Sequence, residues 1–154
     1  MGAFRLTTLA AGLMLSSFAS AEVRVEGPVE YGIFISTQQE FAPGERVLTR
    51  SDQRIEPGTV IPAKLGSKFG LRYNLQGKNP ADAPLTLLYL TPGVITPDGQ
   101  RHDKFVVQQP MVQGAGADLM AFEFSENYEV VRGEWRFMVF QGDRLLAEQT
   151  FEVR

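Results

Sequence analysis

Short stretches of alternating apolar and polar residues follow one another from residue 23 to the end of the chain. Alternation with a period of two is typical of a β-strand with one buried face. Within 68–75, for example, Phe69, Leu71 and Tyr73 fall on one side. The sequence predicts eight or nine short strands drawn from segments 23–26, 29–36, 46–50, 59–61, 68–75, 85–90, 94–96, 105–108, 119–124, 134–140 and 144–153.

The clearest element is a β-hairpin at the end of the chain. Its first strand places Trp135, Phe137 and Val139 on one face, and Gln141-Gly142-Asp143 forms the turn. Its second strand is predicted to bury four apolar side chains: Leu145, Ala147, Phe151 and Val153. We expect Trp135 to be a core residue. The alternative is an exposed platform on which a sugar could stack.

The spacing of turn signals predicts the architecture. Turns are expected at Glu56-Pro57-Gly58, Pro92-Gly93 and Pro97-Asp98-Gly99, and strands recur about every 8–12 residues, as in all-β domains. No amphipathic helix of three turns is visible after residue 22. The predicted fold is a single antiparallel β-sandwich over 22–154, and a closed barrel is the alternative that strand counting leaves open.

The first 21 residues have a different pattern. Arg5 precedes an apolar stretch over 6–18, and Ala19-Ser20-Ala21 has the small residues of a cleavage site. This order predicts a secretory signal peptide over 1–21, because the apolar run is too short for a transmembrane helix. We therefore expect the mature chain to begin at Glu22, to be exported to the periplasm or beyond, and to have no stable membrane insertion.

Composition narrows the possible chemistry. The chain has no cysteine, which excludes disulfides, thiolate metal sites and thiol redox chemistry. After removal of 1–21, 14 basic and 18 acidic side chains leave a net charge of −4. An acidic chain with no dense basic stripe argues against binding to nucleic acid.

The basic residues are concentrated in one block. Residues 46–78 contain seven basic and two acidic side chains, a charge of +5 in a chain that is otherwise −9. Acidic residues on neighbouring strands are one way to neutralise this block. The alternative is an interaction patch that attracts an acidic partner or anionic lipid headgroups, formed by Arg50, Arg54, Lys64 and Lys68.

The sequence contains few candidates for catalytic residues. His102 is the only histidine, and we expect it in an exposed charged turn over 98–103. No serine lies in a Gly-x-Ser-x-Gly or Ser-x-x-Lys motif, and no glycine pattern predicts a nucleotide site. No catalytic, metal-binding or cofactor-binding residue is predicted, and no cofactor is expected. A pair of carboxylates able to hydrolyse glycosides remains an alternative, since such residues meet only in the folded chain.

Several short motifs resemble known proteins. The C-terminal hairpin is similar to the last two strands of an immunoglobulin-like domain. Motifs across most of the mature region resemble a small family of exported bacterial proteins known only as a domain of unknown function: Glu30-Tyr31-Gly32-Ile33, Ile61-Pro62, Phe69-Gly70-Leu71-Arg72-Tyr73, Pro92 with Pro97-Asp98-Gly99, and Gly133-Glu134-Trp135. The resemblance implies an immunoglobulin-like sandwich and carries no catalytic or binding residues.

Two functions follow as hypotheses. The first is an exported, non-catalytic module that binds a protein or another cell-envelope component through loops or sheet edges. The second is a small periplasmic hydrolase that acts on envelope glycans through a carboxylate pair. A hydrolase should have a concave pocket with two acidic residues of shifted pKa, whereas a binding module should have an open surface or strand edge.

Overall fold

The computed structural model describes residues 22–35, 53–114 and 116–154, which form nine strands and a short 3-10 helix at Asn127–Glu129. The strands are β1 (Arg24–Ile35), β2 (Arg54–Pro57), β3 (Val60–Ile61), β4 (Lys68–Gln76), β5 (Leu85–Ile95), β6 (Arg101–Gln109), β7 (Asp118–Glu123), β8 (Gly133–Gln141) and β9 (Arg144–Val153). The predicted signal peptide over 1–21, the predicted strand over 46–50 and Arg50 lie outside the described residues.

The nine strands form two separate sheets. One has the order β2-β1-β4-β7 and the other has the order β3-β9-β8-β5-β6. Every neighbouring pair is antiparallel except β3 and β9, which run parallel. The prediction of an all-β antiparallel sandwich is therefore confirmed, and the closed barrel is wrong.

Aromatic side chains fill the space between the sheets. Phe69 on β4 is fully buried, and its ring lies 5.2–5.9 Å, centroid to centroid, from four other rings: Phe124, Trp135, Phe137 and Phe151. The sequence predicted Trp135, Phe137, Phe151 and Val153 as core residues, and all four are buried. The Trp135 indole N–H donates to the Val131 carbonyl at 2.9 Å, so the one polar atom of this side chain is satisfied.

The C-terminal hairpin is present as predicted, but the inner face of β9 differs at one position. Val139 pairs with Ala147, whereas the next residue, Phe140, pairs with Leu145, so β9 holds one extra residue at Leu146. A bulge of this kind exchanges the two faces of a strand. Leu145 is therefore exposed and Leu146 packs against the core, which corrects the prediction that Leu145 would be buried.

One predicted turn lies within a strand. Strand β5 continues through Pro92-Gly93, where the β5–β6 register shifts between Leu90 and Val94. Gly93 has φ +117°, and a β-carbon there would lie 2.4 Å from the Arg101 guanidinium carbon. Pro92-Gly93 is thus a bulge that admits the Arg101 side chain rather than a turn.

The predicted turn at 56–58 also begins later than expected. Glu56 and Pro57 belong to β2, which among the described residues pairs with β1 alone. Proline is tolerated on such an edge strand because no ladder partner requires its missing N–H. The chain turns only after Pro57.

Candidate functional site

The loop between β3 and β4 is fixed by hydrogen bonds within it and to two neighbouring segments. Ser67, which is buried, donates its hydroxyl to the Pro62 carbonyl at 2.8 Å, and the Gly66 N–H donates to the Phe124 carbonyl at 2.8 Å. The Ala63 N–H donates to the Arg154 carbonyl at 2.8 Å, which fixes the loop to the end of β9. Lys64 and Leu65 are exposed on this fixed loop.

Beside this loop lies an open groove of about 730 Å³, which we call the lysine groove. It is lined by Ile33, Phe34, Pro62, Lys64, Leu65, Gly66, Ser67 and Lys68. Among the described residues, the lining therefore combines four apolar side chains with two lysines and contains no carboxylate.

Lys68 lines the lysine groove beside Phe34. Its Nζ is 5.5 Å from the centroid of the Phe34 ring and donates to the Gln53 Oε1 at 3.0 Å. Phe34 is buried but is not part of the aromatic core between the sheets. Because a cation over an aromatic face is attracted by the ring quadrupole, Phe34 helps to hold the Lys68 ammonium in place.

The structure divides the basic block predicted from the sequence. Arg72 Nε lies 2.6 Å from a Glu30 carboxylate oxygen on β1, and Lys78 Nζ lies 2.7 Å from Asp118 on β7. Neighbouring strands thus neutralise these two bases. Within residues 53–114 and the other described segments, Arg54, Lys64 and Lys68 have no ion pair, although Glu123 lies opposite Lys68 in the β4–β7 register.

Of the four predicted patch residues, the structure brings Lys64 and Lys68 together in the lysine groove. Arg54 is exposed but does not line it. Arg54 pairs with Ile35 at the end of β1. Arg50 lies outside the described residues.

Sequence reasoning missed the apolar part of the groove. Ile33 was predicted only as a strand residue, and Leu65 was not singled out. The available signal was Leu65 itself, an apolar residue between Lys64 and Lys68 in a segment without strand alternation. The pairing of β1 with β4 decides which strand end lies beside Leu65. No local sequence pattern specifies that pairing.

Two carboxyl groups among the described residues have a shifted pKa. An arginine hydrogen bond from Arg72 lowers the pKa of Glu30 below its usual value. The Thr96 hydroxyl and the Gln100 backbone N–H lower the pKa of Asp98. A general acid in glycoside hydrolysis needs a raised pKa, so both shifts have the wrong direction. No group of three or more histidine and acidic side chains that could hold a metal ion occurs in the described segments.

His102 lies in a strand, not in the exposed turn that was predicted. It belongs to β6, is partly buried, and stacks on Phe105 with ring centroids 5.5 Å apart. Its Nε2 lies 3.3 Å from the Thr96 hydroxyl. Because the Pro92-Gly93 bulge lets β5 and β6 pair further than expected, the strand begins at Arg101 and includes His102.

Comparisons with known proteins agree with this architecture. A family described as a domain of unknown function (DUF3859) matches residues 22–153. The crystal structure of an immunoglobulin-like protein from Pseudomonas aeruginosa is 61% identical, with 88% of this chain and 99% of that chain covered and a TM-score of 0.77. A DNA-bound alkylpurine DNA glycosylase from Pseudomonas fluorescens is 18% identical, with 87% of this chain and 31% of that chain covered. Its TM-score of 0.43 is too low to show a shared fold. No curated protein matches.

No helix among the described residues is long and apolar enough to cross a membrane. The chain belongs to the DUF3859 family, a domain of unknown function with an immunoglobulin-like fold.

Proposed function

We propose that this chain is an exported, non-catalytic immunoglobulin-like module that binds an acidic, partly apolar segment of a cell-envelope protein in the lysine groove. One observation carries the proposal: Lys64 and Lys68 flank an apolar surface, and neither has an ion pair among the described residues. A surface with a cation that has no ion pair beside exposed apolar area is complementary to a ligand that has a carboxylate beside an apolar side chain.

The expected affinity is moderate. Enclosing a leucine-sized side chain against Leu65 and Pro62 is worth about 1.5–3 kcal/mol, and each exposed ion pair adds at most about 1 kcal/mol. Immobilising both partners offsets part of this gain. The electrostatic part should fall with added salt, since the screening length shortens from about 10 Å at 0.1 M to about 3 Å at 1 M.

Export rests on the residues before Glu22. The basic Arg5, the apolar stretch over 6–18 and Ala19-Ser20-Ala21 have the order of a signal peptide, and the family match begins at residue 22, directly after the predicted cleavage site. Mass spectrometry of the native protein should find Glu22 at the N-terminus. An intact Met1 in a membrane fraction would contradict export.

The binding proposal is tested by capture with the mature chain as bait. Periplasmic extract is passed over three baits: the unmodified chain, Lys64→Glu, and a control, Arg132→Glu, which makes the same change in charge at an exposed residue outside the groove. We expect a partner on the unmodified and control baits that is lost from Lys64→Glu and released by salt. Equal recovery on all three baits would show that the lysine groove is not the contact.

Two further measurements separate the proposal from its alternatives. Vesicles containing an anionic phospholipid should not bind the mature chain more strongly than neutral vesicles, because the proposed ligand is a polypeptide segment. Purified mature chain should not release soluble fragments from peptidoglycan. Groove-dependent binding to anionic vesicles or turnover of peptidoglycan would each replace the proposal, the first with a lipid ligand and the second with a hydrolase.

A further inference from the structure

The two outer strands of the five-stranded sheet differ in length and in protection. At one edge, β3 contributes only Val60–Ile61 and is followed by Pro62, which has no N–H to offer. At the other edge, β6 runs for nine residues, and among the described residues it pairs with β5 alone. A long edge strand presents a row of unpaired backbone N–H and C=O groups on its free side.

Strand β6 has little of the protection that such edges usually carry. It contains no proline, and the extra residues of the β5–β6 bulge belong to β5. Its charges are confined to Arg101, Asp103 and Lys104, whereas 105–109 is uncharged. Natural edge strands resist pairing through charge, proline or bulges, and the second half of β6 has none of these.

Two valines in this uncharged half are exposed on opposite faces of the sheet. Val106 is 52% exposed and Val107 is 46% exposed. Val106 shares a cross-strand row with Leu88 on β5 and Met138 on β8, neither of which belongs to the core between the sheets. The outer face of this sheet therefore carries apolar side chains up to its free edge.

The charge pattern of β6 is self-complementary in an antiparallel pair. A two-fold axis normal to the sheet beside Val106 places the charged half of each strand opposite the uncharged half of the other. In that register Val106 faces its own counterpart, Lys104 faces Gln108 of the second copy, and no two like charges lie opposite each other. The same axis keeps the apolar outer faces of both copies on one side.

From this geometry we propose that β6 binds β6 of a second copy of this chain, which joins two five-stranded sheets into one continuous sheet of ten strands. A second copy suits this edge better than a disordered peptide, because its strand is already ordered. A free peptide would lose about 1–2 kcal/mol of backbone entropy for each residue that it orders. The proposal rests on the edge strand and is independent of the lysine groove.

The expected dimer is weak. A strand pair of this length extends for about 30 Å, given about 3.4 Å for each residue, and it buries less than the roughly 1,200 Å² that stable complexes need. Sedimentation velocity of the mature chain should show a reversible dimer that forms as the concentration rises from low to high micromolar.

The test compares the unmodified chain with Val106→Glu and with a control, Leu145→Glu, at a leucine that is 43% exposed on β9, away from β6. Two glutamates would face each other across the axis in Val106→Glu, so we expect its dimerisation to weaken at least tenfold, while the control should dimerise like the unmodified chain. Circular dichroism checks that each variant is folded.

Hydrogen exchange of the unmodified chain gives a second measurement that needs no variant. Amides within 101–109 should become more protected at the concentration where the dimer forms. A chain that stays monomeric throughout, a dimer that survives Val106→Glu, or added protection only at residues away from β6 would each overturn the proposal. None of these results would bear on binding in the lysine groove.

Discussion

The space between the sheets and the lysine groove both combine apolar surface with polar atoms, but they satisfy those atoms differently. In the interior, Phe69 is enclosed by four rings and the Trp135 N–H has a carbonyl partner. In the groove, Leu65 is exposed and Lys64 has no ion pair among the described residues. The interior encloses its apolar area, whereas the groove leaves apolar area and charge exposed.

The largest effect should come from the interior. Trp135→Ala removes the largest fully buried side chain, and we expect the free energy of unfolding to fall by about 3–5 kcal/mol. Leu65→Ala is the control, and its effect should stay within about 0.5 kcal/mol. Urea unfolding of both variants measures the difference. Similar losses for the two would remove the contrast between interior and groove.

A second large effect should come from the neutralised part of the basic block. The side chains of Lys78 and Asp118 are only 6% and 15% exposed, so Lys78→Met leaves a nearly buried carboxylate without its cation. We expect a loss of about 3 kcal/mol, at the lower end for buried ion pairs. Adding Asp118→Asn should recover part of the stability, because it removes the carboxylate charge that has lost its ion-pair partner. Lys64→Met, the matched change in the groove, should leave stability almost unaltered.

A high-pH transition should also report on the interior. Burial raises the pKa of Tyr89 to about 12, and burial together with the nearby Asp118 carboxylate raises the pKa of Tyr73 further. A folded-state pKa above the unfolded value gives stability that is present below pH 10 and is lost as the pH rises through the folded value. Stability should therefore fall by about 3 kcal/mol for Tyr89 between pH 10 and 12.

Tyr89→Phe checks the assignment of the alkaline transition. In the unmodified chain the Tyr89 hydroxyl donates to the Ala121 carbonyl at 3.1 Å. The variant lacks this hydrogen bond, so it should lose a small amount of stability at neutral pH. The loss of stability above pH 10 should be shallower in Tyr89→Phe than in the unmodified chain. An identical alkaline slope would show that Tyr89 does not cause it.

The sequence was sufficient to predict the strands whose buried face follows from alternation within the strand itself. Alternation of large apolar residues placed Trp135, Phe137 and Val139 on the inner face of β8, and all three are buried. Leu145 was misplaced, because a one-residue bulge exchanges the faces of β9 without leaving a glycine or proline in the sequence. Pro92-Gly93 was misread for the opposite reason, since the same dipeptide is compatible with a turn and with a bulge.

The lysine groove was only half predictable. Charge counting identified Lys64 and Lys68, but it also identified Arg72 and Lys78, which neighbouring strands neutralise. The difference lies in the pairing of β1 and β7 with β4, which brings Glu30 and Asp118 to these two residues. Such pairing between distant segments depends on the whole topology, so composition alone could not separate paired from unpaired bases.

The smallest effect on stability should accompany the largest effect on binding. Lys64→Glu alters an exposed side chain on a loop whose hydrogen bonds involve backbone atoms and Ser67, so stability should change by less than about 0.5 kcal/mol. Thermal unfolding measures this directly. A large loss of stability would mean that Lys64 supports the fold and is not kept free for a ligand.

The most direct test of the account is a nuclear magnetic resonance titration of the mature chain with a short peptide of alternating glutamate and leucine. We expect amide shifts concentrated at Ile33, Leu65, Ser67 and Lys68, which weaken with added salt and disappear in Lys64→Glu but persist in Arg132→Glu. Shifts spread evenly over all exposed basic residues, or absent from the lysine groove, would contradict the claim that this groove binds acidic partners.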